Sequence, residues 1–473
     1  MSEKKTNGLI MRAVISIAVG AAIAMIPIPA ELTNPKGWQL FAVFVSTILA
    51  FILQPLPMGA VSCIALAFLA LSNIFTIGEA LSGFSNATIW LVVSAFIFSR
   101  AFITVGLGKR IAYMIIHAIG SSPLKLAYAV SLSDLIIAPA TPSNTARGGG
   151  IIYPITKSLA STLKSEPGET AKRIGSFLTQ SVYHTDTVCS SMFMTATASN
   201  TLLAALAVKT IGVDVSWGTW ALAALVPGIV CFILVPALIF RLDKPELAAT
   251  PEAKELARKE LDALGKMSRN EKIVGVIFVS MLLLWVTSSL TKINATTVAL
   301  VGISTLFITG VSTWKDALAE NGAWDTLMWM GALVGMATYL DKFGFVPWFA
   351  KSVAVYIQGM DWMTALVIIA LCYVYTHYFL ASMTAHVTAL FPAFAAVAVA
   401  TGTPPSLAVL VLAFCTNISG CLTHYAQGPT PIFFGAGYVD QGTWWKNGFI
   451  ISVVQLVLWM GIGSVWWKVI GLW

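Results

Sequence analysis

Long apolar stretches alternate with short polar segments throughout this chain of 473 residues. Many of the apolar stretches carry no charge over about 20 residues, which is long enough for a helix to cross the ~30 Å hydrocarbon core of a membrane. Charged residues make up only 10% of the chain, against about 25% in a soluble domain. The alternating pattern of a membrane β-barrel is absent. The pattern therefore predicts an all-α, polytopic membrane protein.

The apolar pattern predicts about eleven crossings and two further hydrophobic hairpins. The hairpins lie near 123–163 and 361–400. Small and polar residues interrupt two of the predicted spans, which we expect to be broken helices. The predicted spans lie near 9–27, 37–53, 58–75, 86–105, 174–212 (broken), 217–241, 272–290, 294–312, 322–341, 405–438 (broken) and 447–468.

The basic residues give the expected orientation. The net charge is +7, and the densest group of Lys and Arg lies between Arg241 and Lys272, in the only long polar loop. Because cytoplasmic loops are enriched in Lys and Arg, we expect a plasma-membrane protein whose N-terminus is cytoplasmic and whose C-terminus is outside. The charge is then a signal of topology, and no nucleic-acid partner is expected.

A short polar motif occurs once in each half of the chain. Residues 143–147 read SNTAR, and residues 382–386 read SMTAH. Each motif lies in one of the two predicted hairpins, and an interrupted span follows each hairpin. An odd number of crossings between the two copies would invert the second one. The pattern therefore predicts an inverted repeat with re-entrant hairpins, an arrangement that is typical of transporters.

The repeat divides the chain into five parts. The linker between the halves mixes both signs of charge with leucines, which predicts an amphipathic cytoplasmic helix. Short amphipathic stretches at 109–119 and 347–357 precede the two hairpins. The parts are N-terminal scaffold helices in 1–85, transport and interface elements in 86–241, the linker in 242–271, scaffold helices in 272–320, and the second repeat with the final helix in 321–473.

The hairpin tips have the chemistry of an anion site. Pro142 precedes the first motif, so Ser143, Asn144 and Thr145 are expected at the N-terminal end of the second arm. Free backbone N–H groups and the positive end of the helix dipole lie there. The alternative is that these residues only cap buried helix ends, as polar residues often do.

The second hairpin and the broken spans extend this predicted site. Ser382 and Thr384 hold the same positions in the second motif, and the interruptions add Asn200 and Thr430. Two such half-sites facing each other would bind a molecule with an anionic group at each end. His424 lies in the second interruption, where a substrate contact and a packing role are equally supported.

Longer motifs resemble the divalent anion/sodium symporter family. The segments TPSNTARGGGIIYPI and LTHYAQGPTPIFFGAGYV are most similar to its bacterial citrate, tartrate and succinate antiporters and its plastid dicarboxylate translocators. The resemblance covers essentially the whole chain. It implies a homodimer in which each protomer has a scaffold and a transport domain that moves as an elevator. The substrate contacts that it implies are Ser143, Asn144, Thr145, Ser199, Asn200, Ser382, Thr384 and Thr430.

Two departures from the family pattern bear on coupling. Met383 replaces the usual Asn, and the fifth motif position holds Arg147 in one half and His386 in the other. Sodium-coupled relatives have a small hydroxyl residue at this fifth position. We therefore hypothesise that Arg147 and protonated His386 are tethered cations that replace sodium and offset the charge of the substrate.

This hypothesis predicts sodium-independent exchange of dicarboxylates of the succinate, malate, fumarate and 2-oxoglutarate class. An empty site with unpaired buried cations would be costly to move across the membrane. A sodium-coupled di- or tricarboxylate symporter is the alternative. Arg147 has an alternative of its own, which is a structural ion pair with Asp134 or Asp186.

An enzyme is not expected. The sequence has no GxSxG, HExxH or paired-aspartate motif, and its cysteines and histidines lack zinc spacing. No catalytic residue, metal or cofactor is therefore predicted.

Overall fold

The computed structural model describes residues 3–354, 360–380 and 382–473, and within them the chain is helical without strands. Twelve α-helices form the first half. They are α1 (Glu3–Met25), α2 (Pro35–Leu53), α3 (Met58–Leu71), α4 (Ile77–Leu81), α5 (Ala87–Thr104), α6 (Leu107–Ile119), α7 (Pro123–Ile137), α8 (Tyr153–Thr162), α9 (Gly175–Met192), α10 (Ala198–Ile211), α11 (Trp217–Leu242) and α12 (Pro251–Leu264).

The described part of the second half contains another twelve α-helices. They are α13 (Arg269–Val286), α14 (Ser288–Thr291), α15 (Ala295–Ile308), α16 (Trp314–Leu318), α17 (Asn321–Lys342), α18 (Phe345–Ala354), α19 (Trp362–Tyr375), α20 (Met383–Ala400), α21 (Pro405–Ser419), α22 (Thr430–Gly435), α23 (Gln441–Leu458) and α24 (Ser464–Val469). A π-helical turn at Trp459–Gly463 joins α23 to α24.

A helix lies within each predicted crossing, and both spans predicted as broken are interrupted. Residues 193–197 separate α9 from α10, and residues 420–429 separate α21 from α22. Eight of the described helices are long and apolar enough to span a membrane. Three of them, at 123–140, 362–379 and 383–400, are arms of the predicted hairpins. Length and composition alone therefore do not distinguish a hairpin arm from a full crossing.

The first hairpin forms where its prolines predict it. Helix α7 ends at Ile137 and a short 3-10 turn at Ala138–Ala140 follows, because proline cannot continue the helical hydrogen bonds. The second arm starts as a π-helix over Thr145–Ile152 and continues as α8. A π-helix is a rare, wide turn that is frequent at functional sites, and this one carries the first polar motif.

The second hairpin is built from α19, a 3-10 turn at Thr376–Phe379, and α20. Ser382 caps the second arm, since its side chain accepts a hydrogen bond from the backbone N–H of Ala385 at 3.3 Å. A serine cap satisfies one of the free N–H groups at the start of a helix. The polar motif therefore lies at the N-terminal end of α20, as predicted.

Polar contacts divide most of the helices into two groups. The scaffold group contains α1–α5 and α13–α17, and the hairpin group contains α7–α11 and α19–α24. The scaffold group is joined internally by contacts such as that of the Thr296 hydroxyl with the Ala87 carbonyl. Throughout the described chain, no side-chain hydrogen bond or salt bridge connects one group to the other. The groups meet through apolar contacts such as Trp217 on Trp285, whose ring centroids are 5.2 Å apart.

Helices α6 and α12 pack on each other and lie between the scaffold group and the first hairpin. The buried Arg110 on α6 donates to Glu271 on α13 at 2.6 Å and to the carbonyl of Gly265 at 2.9 Å. On α12, Lys254 donates to the carbonyl of Ala118 at 3.1 Å. The predicted linker contains the helix α12, and the predicted stretch 109–119 is part of α6.

The second predicted amphipathic stretch, at 347–357, is covered by α18 as far as residue 354. Its last residues, 355–357, lie outside the part of the chain that the structure describes. Helix α18 packs its aromatic side chains on α2, where Phe41 and Phe345 stack at 4.2 Å. In both halves a short amphipathic helix lies directly before a hairpin and packs against one of its arms, α6 on α7 and α18 on α20.

Candidate functional site

The tip of the first hairpin is partly accessible, and part of it contacts the loop 420–429 that interrupts the second broken span. Ser143 accepts a hydrogen bond from the N–H of Ala146 at 3.2 Å, as a helix cap does. The side-chain amide of Asn144 donates to Oε1 of Gln427 at 2.7 Å. Thr145 is exposed and lies against Gly428. A Cβ atom at Gly428 would collide with Oγ1 of Thr145, so a glycine is required for this close approach.

The second hairpin reaches the same loop. The ring Nε2 of His377 lies 2.7 Å from the carbonyl oxygen of Ala426, and it must donate because a carbonyl only accepts. The Tyr425 hydroxyl donates to the carbonyl of Tyr378 at 2.8 Å. Consecutive residues of the loop 420–429 thus contact both hairpins. The structure brings the two predicted half-sites to one place.

A buried network of hydroxyl groups forms hydrogen bonds to the loop 420–429. The Tyr183 hydroxyl donates to the carbonyl of Gly420 at 2.6 Å and lies 2.6 Å from Oγ1 of Thr430. The side-chain amide of Gln427 donates to the same hydroxyl at 3.3 Å. Thr430 is fully buried, so its predicted substrate contact is not met in this conformation. Its hydroxyl instead fixes the loop that holds Asn144.

Asn200 closes the first break and joins the two broken helices. Its side-chain amide donates to the carbonyls of Ser190 at 2.7 Å and Phe193 at 3.0 Å. Its side-chain oxygen accepts from the amide of Asn417 at 2.8 Å. Since both N–H donors are used and the residue is fully buried, the predicted substrate contact of Asn200 is not met here. The neighbouring Ser199 is also buried, with its hydroxyl 3.1 Å from that of Thr197.

Arg147 forms buried ion pairs with Asp134 and Asp186, which was the alternative to a contact with the substrate. Its side chain is 0% exposed, and it contacts Asp134 at 2.7 Å and Asp186 at 2.9 Å. Nε donates to Asp134, and Nη2 donates to Asp186 and to the Ser190 hydroxyl.

The remaining guanidinium nitrogen, Nη1, donates to the carbonyls of Thr141 and Ala196. An arginine side chain has five N–H donors, and all five of Arg147 are thereby used inside the protein. In this structure Arg147 therefore has no free donor for a substrate carboxylate, and its contact with the substrate stays a prediction. Its charge is offset by two aspartates, and its donors join the first hairpin tip to the first break.

His386 is likewise engaged inside the second hairpin. Its Nε2 donates to the carbonyl of Tyr373 on the first arm at 2.8 Å, and its ring lies 4.8 Å from that of His377. The side chain is 0% exposed, and no carboxylate forms a salt bridge with it among the described residues. A protonated ring here would be an unpaired buried charge, which is strongly unfavourable. The expectation that a protonated His386 offsets the substrate charge is therefore not supported.

His424 forms part of the wall beside the loop. Its Nδ1 accepts a hydrogen bond from the indole N–H of Trp445 at 3.0 Å, and its ring packs on Phe434 at 4.7 Å. The side chain is half-buried. The structure therefore places His424 in the loop that contacts both hairpins, where its recorded contacts are those of a packing residue.

The accessible polar groups that remain are hydroxyls and helix ends. Thr145 is exposed, whereas Ser143, Ser382 and Thr384 are half-buried. No cluster of three or more metal-ligating side chains exists in the described ranges. Sequence reasoning missed Tyr183 and Asn417, although a tyrosine within an apolar helix usually requires a hydrogen-bond partner when it is buried. The site is thus a pair of polarised helix ends around one loop, which suits the binding of anions.

Hairpins, broken helices and paired helix ends inside an all-helical membrane fold define a polytopic membrane transporter. A model of the sodium:sulfate symporter transmembrane region matches residues 7–473. The chain therefore belongs to this family, the divalent anion/sodium symporters.

Individual relatives agree with this assignment. The chain is 47% identical, over 97% of its length and 96% of the relative, to a Bacillus subtilis protein named putative malate transporter YflS. It is 45% identical to the chloroplast dicarboxylate transporter 1 of Spinacia oleracea, over 97% of this chain and 81% of that one. Relatives that are named as transporters thus match nearly the whole chain.

Solved structures with the same fold are more distant. The Alcanivorax borkumensis YdaH transporter has a TM-score of 0.59 at 11% identity and covers 98% of both chains. The Neisseria gonorrhoeae efflux pump MtrF has a TM-score of 0.56 at 12% identity, over 98% of this chain and 94% of that one. At this identity the likeness supports the transporter fold alone.

Proposed function

We propose that this protein is a plasma-membrane carrier that exchanges dicarboxylates of the succinate, malate, fumarate and 2-oxoglutarate class without sodium. The observation that carries the proposal is the convergence of both hairpin tips on the loop 420–429. Two polarised helix ends around one loop suit a molecule with a carboxylate at each end. Relatives named as malate and dicarboxylate transporters point to the same substrate class.

The proposed sodium independence rests on Arg147. Its Nη1 donates to the carbonyls of Thr141, at the first tip, and Ala196, at the first break. Carbonyl oxygens are the hard ligands that a metal cation would use to join these two segments. The Arg147 guanidinium already joins these two carbonyls through its own N–H donors, so the two segments need no sodium ion to hold them together.

An elevator-type movement is proposed from the division of the helices. Both tips and both breaks belong to the hairpin group, and they are joined to one another by contacts such as Asn144 with Gln427 and Asn200 with Asn417. Among the described residues this group meets the scaffold group through apolar contacts without a side-chain hydrogen bond or salt bridge, and such surfaces can slide without breaking buried polar bonds. The homodimer that the family resemblance implies would form on the scaffold side.

The proposal is tested with the purified protein in liposomes. Labelled malate should enter vesicles preloaded with unlabelled succinate, and choline in place of sodium should leave the rate unchanged. Vesicles without internal dicarboxylate should take up at most a small fraction of that amount. Sodium-dependent uptake into empty vesicles would show the symporter alternative instead. An absence of transport for every dicarboxylate in a competition panel would reject the substrate class.

A tip hydroxyl provides the test of the site itself. We expect Thr384→Ala to weaken the apparent affinity for dicarboxylate by about 10- to 150-fold, since a hydrogen bond to a charged group contributes about 1.5–3 kcal/mol. Thr401→Ala, at the other end of the same helix, is the matched control, because its hydroxyl bonds only to the Ala398 carbonyl. An unchanged affinity in Thr384→Ala would remove this residue from the proposed site.

A further inference from the structure

The buried cluster around Arg147 contains more acid than base. Asp134 and Asp186 both contact the guanidinium, and all three side chains are at most 1% exposed. One cation with two ionised carboxylates would leave a net charge of −1. The cluster lies in the hairpin group, between α7, the π-helix and α9.

Among the described residues, Arg147 is the only cation that forms a salt bridge with either carboxylate. The titratable side chains near the two carboxylates are Tyr183, Cys189 and Cys421. None of them carries a positive charge. The five donors of Arg147 are all used, and only one oxygen of each carboxylate receives any of them.

The outer carboxylate oxygens are the second observation. Oδ2 of Asp134 and Oδ2 of Asp186 are both buried and have no hydrogen-bond partner in the described structure. A buried carboxylate oxygen without a donor is costly, because desolvation is not compensated. Two carboxylates that flank one cation in a low-dielectric site are neutralised most simply by one proton, which turns one outer oxygen into a hydrogen-bond donor.

We propose that Asp134 and Asp186 together form a proton-binding site that holds one proton during transport. The bound proton makes the cluster neutral, with one carboxylate, one carboxylic acid and one guanidinium. A metal ion does not suit this site, because only two carboxylates are available, Arg147 uses one oxygen of each, and no group of three or more metal-ligating side chains occurs among the described residues.

The second repeat has no equivalent acid. Residue 373 lies 239 positions after residue 134, as residue 386 does after residue 147. The pair in the second half is therefore Tyr373 and His386, joined by a ring N–H to carbonyl contact at 2.8 Å. The proton site would thus occur in one half only, and its presence does not depend on which anion the protein carries.

Infrared spectroscopy of the purified full-length protein tests the proposal directly. At neutral pH the wild type should show the C=O stretch of a buried carboxylic acid. Either Asp134→Asn or Asp186→Asn should remove this band, because the single remaining carboxylate is balanced by Arg147 without a proton. Asp243→Asn is the matched control and should keep the band, since the buried Asp243 has Lys172 as its own cation.

The transport consequence rests on the proposed function and is measured separately. Exchange by the wild type should fall at least several-fold as the pH is raised enough to remove the bound proton, whereas Asp186→Asn should stay flat over the same range. A wild type without the band, or a band that survives both single variants, would overturn the proposal. A loss of the band only when sodium is added would show a metal site instead. A protein that shows the band but carries no dicarboxylate would reject the proposed function and keep the proton site.

Discussion

Replacing Arg147 with alanine should prevent the accumulation of folded protein, rather than only weaken substrate binding. The guanidinium is fully buried between Asp134 and Asp186. Removing one partner of a buried ion pair costs about 3–5 kcal/mol, and here two carboxylates lose the same partner. The carbonyls of Thr141 and Ala196 lose their donor as well. The yield of monodisperse protein in detergent and its thermal unfolding midpoint are the measurements.

Charge compensation provides the control for this variant. Arg147→Lys should recover little, because an ammonium group has three donors and cannot replace the five of the guanidinium. Adding Asp134→Asn and Asp186→Asn to Arg147→Ala removes the unpaired charges and should restore part of the yield. A stable Arg147→Ala protein that differs from the wild type only in substrate affinity would contradict the structural role and return Arg147 to the binding site.

The sequence was sufficient for the main features of the fold. Uncharged apolar lengths located a helix in every predicted crossing, and Pro139 and Pro142 marked the end of the first hairpin arm. The duplicated polar motif identified both hairpin tips. These features are local, because each depends on residues that are close together along the chain.

The partners of the polar side chains could not be predicted in the same way. Asn200 bonds to Asn417, and Asn144 bonds to Gln427, across more than 200 residues in each case. Nothing local shows which donors are already used. The sequence did offer the ion pair of Arg147 as an alternative, because acids are rare in apolar segments. It could not show that both aspartates bind the same arginine.

The last expected result concerns the junction between the broken helices. Asn200→Ala should lower both the stability and the transport rate, because three hydrogen bonds disappear at a fully buried position. Each bond contributes about 0.5–1.5 kcal/mol, and a buried polar group left without a partner, such as the Asn417 side-chain amide, adds a desolvation cost of about 1–3 kcal/mol. The loss should therefore be several kcal/mol.

A substitution at a neighbouring residue is the control for the loss of a polar side chain from this helix. Thr201→Ala should remain close to the wild type, since the Thr201 hydroxyl bonds only to the Ala198 carbonyl of its own helix. Thermal unfolding in detergent and malate exchange in liposomes should be measured for both variants. If Asn200→Ala keeps the wild-type unfolding midpoint but loses substrate affinity, then Asn200 contacts the substrate in another conformation. If the unfolding midpoint of Asn200→Ala falls while the remaining folded protein binds substrate normally, then Asn200 serves to join the two broken helices.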